Sequence, residues 1–358
     1  MTDQAPPPDP DKPQPPSLQS ALAAANAKGA RGLAAIPVLA GPMAAACPAL
    51  EAILRSSAVR ASLETHDRQA SESGRQQTLL KQEAFRSNLC LLAAGVVSGL
   101  VLAVSAGALQ ALMALDPVAE KRVTLALGVA TLALGALAAY FAYVARDQGR
   151  IARWQTCRSE AEAARLDVFA TIAAKAAAAG PNPALFGLAV VARHLLDDQR
   201  TWLAASALRH RASSENTSRM GAVASALAFV GGSGAIITSQ TDSHGAIWIV
   251  LIGVVGAAVG AFAANREAIN RDQANAERYD RTSVAMDAVA ARIDDVAAAI
   301  SGGQPDGLPA FTTTVTDLLS AENKQWLDGT AQANSALDAL DERLGKLAKA
   351  GGAAAPAS

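Results

Sequence analysis

Aromatic residues are scarce in this chain, at 4% of 358 residues; cysteines number three, and four long stretches carry no charge at all. Each lack excludes something. Cys47, Cys90 and Cys157 form no CxxC pair, which argues against a disulfide framework and against a zinc site. His66, His194, His210 and His244 include no HExxH and no close pair, and read as ordinary surface or interfacial side chains. Basic residues number 31 and acidic residues 32, so no nucleic-acid surface is expected. No nucleophile–base pair, paired carboxylates or metal-ligand cluster stands out, and neither an enzyme nor a cofactor is expected.

The uncharged stretches run over 87–115, 123–145, 220–241 and 246–264 and fall into two pairs, each closed by a short loop. A bilayer core is ~30 Å thick and takes about 20 helical residues to cross. Helices or closed barrels alone satisfy their backbone there. The sequence therefore predicts an all-α polytopic membrane protein with two transmembrane hairpins. The alternative is a set of apolar helices stored inside a soluble bundle. Residues 220–241, rich in Gly, Ser and Ala, fit the membrane reading least well, and 246–264 fit it best.

Arginine gathers beside these stretches, at Arg75, Arg86, Arg146, Arg150, Arg153, Arg209, Arg211, Arg219, Arg266 and Arg271, whereas the loops hold only Lys121 and Arg122. The positive-inside rule puts both loops outside and both termini in the cytoplasm, with the inner membrane as location. Residues 1–47 read as a Pro- and Ala-rich arm, disordered or partly ordered. Its run 32–47 starts too late for a lipoprotein signal, and Pro37 and Pro42 interrupt it as a span. A first helix–two-span–helix unit is expected over 48–180, ending at Gly180-Pro181-Asn182-Pro183, and a second over 181–300, ending before the SGGQPDGLP break. An amphipathic helix over 310–348 and a frayed tail over 349–358 close the chain. In that helix Leu337, Leu340, Leu344 and Leu347 follow 3-4-3 spacing.

Small residues dominate the spans. Gly95 and Gly99, like Gly256 and Gly260, lie four apart, and Gly128 and Gly135 one heptad apart. Lipid tails are as apolar as leucine, so helices associate where small residues let backbones approach. No ionisable residue lies inside any span, which argues against a pump or ion-coupled carrier. Mild polarity remains at Ser98, Ser105, Gln110, Thr131, Ser225 and Ser233, candidates for lining a water-filled path; lone Ser and Thr otherwise bond back to their own helix. Gly231-Gly232-Ser233-Gly234 lacks the lysine and strand of a phosphate loop and reads as a soft point in a helix.

Beyond the second span, Trp154, Arg158, Glu162, Arg165 and Phe169 fall at offsets of four, eight, eleven and fifteen, one helix face. Glu162 is placed to pair with Arg158 or Arg165. This string resembles the segment after the hairpin in the SLATT superfamily, two-span effector domains of nucleotide-dependent bacterial conflict systems. Asp198-Gln199-Arg200-Thr201-Trp202 resembles the DQxxW element opening the second unit of fused members. Glu322-Asn323-Lys324-Gln325-Trp326 resembles their C-terminal E-x3-W element. Gln155 and Leu203 depart from the pattern where aromatics commonly stand. The resemblance implies an oligomeric membrane effector, pore-forming or membrane-perturbing, driven by a separately encoded nucleotide-signal sensor. A membrane-anchored scaffold that holds a cytosolic partner on its polar helices is the competing expectation.

Overall fold

The computed structural model describes residues 16–27, 29–105, 116–145, 148–238 and 245–328. Nearly all of these are helical, and no strand occurs among them. The helices are α1 (Leu18–Ala24), α2 (Ala35–Ala46), α3 (Pro48–Leu54), α4 (Ser57–Ser105), α5 (Pro117–Ala145), α6 (Gln148–Ala178), α7 (Pro181–Val191), α8 (Asp198–Thr238), α9 (Gly245–Asn270), α10 (Asp272–Ala290) and α11 (Ile293–Ser301). A twelfth helix, α12, covers 307–328. The two expected breaks are present. Gly180 (φ 111°) separates α6 from α7, and Gly303 (φ 89°) lies between α11 and α12. The leucine series from Leu337 onward lies outside the described residues.

Contacts divide the chain into two compact units, and each draws on both halves of the sequence. The first comprises Met1–Ala70, Arg158–Ala205 and Tyr279–Lys324. Its centre is α7, in which every residue from Pro183 to Val191 is buried. The sequence ALFGLAVV has no polar face, and a helix apolar all round is stable only when surrounded. Leu188, Leu195 and Leu196 are fully buried, each contributing roughly 1.5–3 kcal/mol. A Cβ on Gly187 would meet Leu308 at 2.8 Å and Ala176 at 3.0 Å, so α6 and α12 approach α7 closely there. Immediately after α7, Ala192–Asp197 widens into a π-helical turn.

The N-terminal arm contributes to this unit. Its helices α1 and α2 belong to the core, with Ala21, Ile36, Leu39, Ala40 and Met43 buried. Positions 36, 39, 40 and 43 form one helical stripe, and that stripe outweighs the N–H lost at Pro42 inside α2. His194 is buried as well, not interfacial: its Nε2 lies 2.8 Å from the Ala25 carbonyl oxygen. Desolvation of the ring pushes its pKa below the ordinary histidine value. Gly32 (φ 56°) passes so near the Asp198 carboxylate that a Cβ would meet Oδ2 at 2.9 Å.

The second unit comprises Ser71–Cys157, Ser206–Arg278 and Gln325–Ser358, and contains the apolar helices. Among the described residues, three helical stretches are long and apolar enough to cross a membrane, Ser57–Val101, Val118–Val144 and Leu251–Ser301. The expected span 220–241 is not one of them; residues 239–241, and its side chains from 234 on, lie outside the description. α4 is one helix of 49 residues, about 73 Å at 1.5 Å per residue, more than twice a bilayer core.

Candidate functional site

The glycines of the apolar helices set which helix meets which. Gly95 faces Ala258, where a Cβ would stand 3.0 Å from the alanine Cβ, and Gly99 faces the Val254 side chain. Near the start of the same stretch Asn88 bonds Asn265. Seven residues on along α4 is seven back along α9, and four on is four back, which is an antiparallel pair in constant register. α8 meets α9 still more closely. Gly231 and Gly253 put backbone against backbone, and a Cβ on Gly256 would strike the Ala228 nitrogen at 2.6 Å and the Ala224 oxygen at 2.7 Å. Gly260 follows against Ala224 at 3.5 Å, so this pair too is antiparallel.

α5 joins α4 differently. Buried Ser87 donates its hydroxyl to the Ala138 carbonyl at 3.0 Å, and the Arg86 guanidinium lies 5.9 Å from the Phe141 ring centre. Beyond α5, Arg153 pairs with Glu72 at 3.0 Å. The chain order then fixes directions: α4 and α8 run one way through this unit, α5 and α9 the other. α9 lies against both α4 and α8. By contrast Gly128 and Gly135 of α5 have nothing within 4 Å of a Cβ, and α5 is the least covered of the three membrane-competent stretches, with 6% of its apolar window buried against 17% and 18%.

The mildly polar span residues differ in their surroundings. Thr131 donates to the Leu127 carbonyl of its own helix at 3.0 Å. Ser98 and Ser233 are half-buried and Ser225 is exposed. The Ser105 side chain and Gln110 lie outside the description.

Polar residues gather instead beyond the apolar stretch of α8 and α9. Asp272 is buried and takes the His210 Nδ1–H at 2.6 Å on Oδ1 and the Ser213 hydroxyl at 2.5 Å on Oδ2. The carboxylate stands between imidazole and hydroxyl and receives a bond from each. This arrangement ties helices together rather than aiming histidine at the serine proton. Thr217, one turn past Ser213, is buried on the same helix. The cluster was hidden in the sequence because its partners lie about 60 residues apart; the one local signal was His210, Ser213 and Thr217 sharing a helix face.

The tryptophan-bearing elements sit in both units. In the second, Trp154 and Trp326 pack edge to face, ring centres 5.0 Å apart at 85°. The Trp154 indole N–H is shielded from solvent there without an acceptor. In the first, Trp202 packs on buried Tyr279 at 5.4 Å, and Arg200 pairs with Asp287 at 3.1 Å. Glu162 pairs with Arg165 at 2.6 Å, and Phe169 is fully buried. Gln199 reaches back to Asp198 at 3.5 Å, and Glu322 is half-buried with its Oε1 enclosed.

No protein-family model, no curated protein and no solved structure matches this chain.

Proposed function

We propose that the protein is a membrane effector, a regulated pore or membrane-perturbing device of a prokaryotic defence system, built from four spans in the inner membrane with both termini in the cytoplasm. One observation supports this above the rest. α9 lies against α4 and α8 through glycine-to-backbone or glycine-to-methyl contacts, a mode of packing suited to lipid, where no hydrophobic drive joins helices. In this reading α8 is the remaining span, and its packing on α9 over Gly231, Gly256 and Gly260 supports that. The common direction of α4 and α8 suits two hairpins inserted the same way, with the arginine-rich ends together. The Trp154–Trp326 pair and the Trp202–Tyr279 pair join residues that the SLATT resemblance singles out to other helices. In this reading they belong to the surface that answers a separately encoded nucleotide-signal sensor, and copies of the chain assemble around the pore.

Membrane potential tests the reading. Induction of the native chain with its trigger depolarises cells in a dye assay, and a Gly95→Leu/Gly256→Leu chain at equal membrane abundance does not. Ion-tight cells with the triggered native chain would refute a pore. The second reading, a membrane-anchored scaffold, draws support from the first unit, which has its own buried core around α7 and holds none of the glycine contacts between spans.

A further inference from the structure

Within the second unit, the two ends of the α4–α5 pair differ in charge. At and beyond the end marked by Ser87 and Ala138 stand Arg75, Lys81 and Arg86 of α4 and Arg150 and Arg153 of α6, against Glu72 and Glu83. At the opposite end Lys121 and Arg122 are balanced by Asp116 and Glu120. Arg122 and Ala138 lie about 24 Å apart along α5 at 1.5 Å per residue, so a lipid at one end does not sense the other through 0.15 M salt.

Arg86 borders the apolar stretch of α4 directly, and its side chain is exposed. Two neighbours hold it. Glu83 accepts from Nη1 at 2.9 Å, and the guanidinium stands over the Phe141 ring, which itself packs edge to face on Tyr140 at 5.6 Å. A guanidinium carries five N–H donors in one plane, and among the described residues only Nη1 is engaged. Beside it the surface is apolar: Leu89 of α4 and Leu137, Tyr140 and Tyr143 of α5 are all exposed. Tyrosine rings of this kind favour the boundary between lipid tails and headgroups. A small anion would use the held cation and leave the apolar surface bare. A phospholipid covers both, since a planar guanidinium suits a phosphate and the leucines suit an acyl chain. The excess of cations sets the class of headgroup. A zwitterionic lipid brings its own ammonium into a field that is already positive, whereas a net-anionic one does not.

We propose that this end of the α4–α5 pair is a binding site for an anionic phospholipid of the phosphatidylglycerol class. Its phosphate sits on Arg86, its acyl chains lie against Leu89 and Leu137, and Lys81 and Arg150 add attraction at longer range. The low coverage of α5 leaves room for lipid beside it. The site rests on the membrane reading of α4 and α5 and names the lipid class that this reading leaves open.

The test is fluorescence quenching on the full chain in phosphatidylcholine vesicles. A bimane label is placed at Leu89→Cys or, for the opposite end, at exposed Leu125→Cys, with the three native cysteines substituted. A rising fraction of the lipid is brominated on its acyl chains, as phosphatidylcholine in one series and phosphatidylglycerol in the other. At Leu89 half-quenching is reached at an about fivefold lower fraction of phosphatidylglycerol, the factor expected for one arginine at the headgroup level. Arg86→Gln brings the two series together, and at Leu125 they coincide in the native chain. Equal quenching by both lipids at Leu89, a preference that survives Arg86→Gln, or a preference as large at Leu125 would each overturn the site while leaving the spans in lipid. No quenching of either label by either lipid would overturn the membrane reading and the site with it.

Discussion

His194 shows how much one buried ring decides. Its Nε2–H donates to the Ala25 carbonyl and ties α1 to the π-helical turn after α7, in a setting that disfavours the charged ring. The sign of the pH effect follows. The unfolded chain protonates His194 near pH 6.5, whereas the folded chain resists until a lower pH. The stability from this site is complete above about pH 6.5 and declines as pH falls below it. Thermal unfolding of the purified protein between pH 7.5 and 5 should show the decline, and His194→Gln should flatten the part due to this residue. His194→Ala leaves the Ala25 carbonyl unpaired in the core and should cost roughly 1–3 kcal/mol at pH 7.5. Nothing near His194 in the sequence announces this. The acceptor lies 169 residues away on an alanine, and a backbone carbonyl has no sequence signature.

At the scale of the element, glycine spacing gave the faces but not their partners. Gly95, Gly99 and Gly256 belong to small-residue faces as Gly128 and Gly135 do, yet the first three lie within reach of a neighbouring helix and the last two do not. Spacing is a property of one helix, and closeness is a property of two. The expected result is a split between substitutions. Gly256→Leu drives a side chain into the α8 backbone and should destabilise the α8–α9 pair by about 1–3 kcal/mol or more, seen as a lowered unfolding midpoint in detergent. Gly128→Leu meets open space and should shift that midpoint by no more than ~0.5 kcal/mol. A loss at Gly128 as large as at Gly256 would mean that α5 packs on another chain. Uncharged length made α4, α5 and α9 legible as membrane-competent helices, and Gly180 and Gly303 made two breaks legible. The break at Arg271 was not, since Asn270-Arg271-Asp272 holds neither glycine nor proline.

At the scale of the molecule, the sequence reads as two tandem helix–hairpin–helix units, whereas contacts gather the apolar helices in one unit and the α7 core in another, each assembled from both halves. Chain order is written in hydropathy, and assembly depends on which faces meet. This division makes a decisive exchange feasible. Replacing all four expected spans by unrelated ones of equal length, with 48–86 and the remaining polar helices retained, should abolish depolarisation if the spans conduct. It should leave partner capture intact if they only anchor. Immunoprecipitation and the dye assay on one set of strains would read both.

α4 also differs from α9 in kind. It passes from polar to apolar sequence over 49 residues with no break, while α9 is interrupted at Arg271. A twist applied at Ser71 therefore reaches Gly95 and Gly99 along an unbroken ladder of backbone hydrogen bonds, as torque travels down a drive shaft. The same twist applied at Asp272 meets the break at Arg271 first.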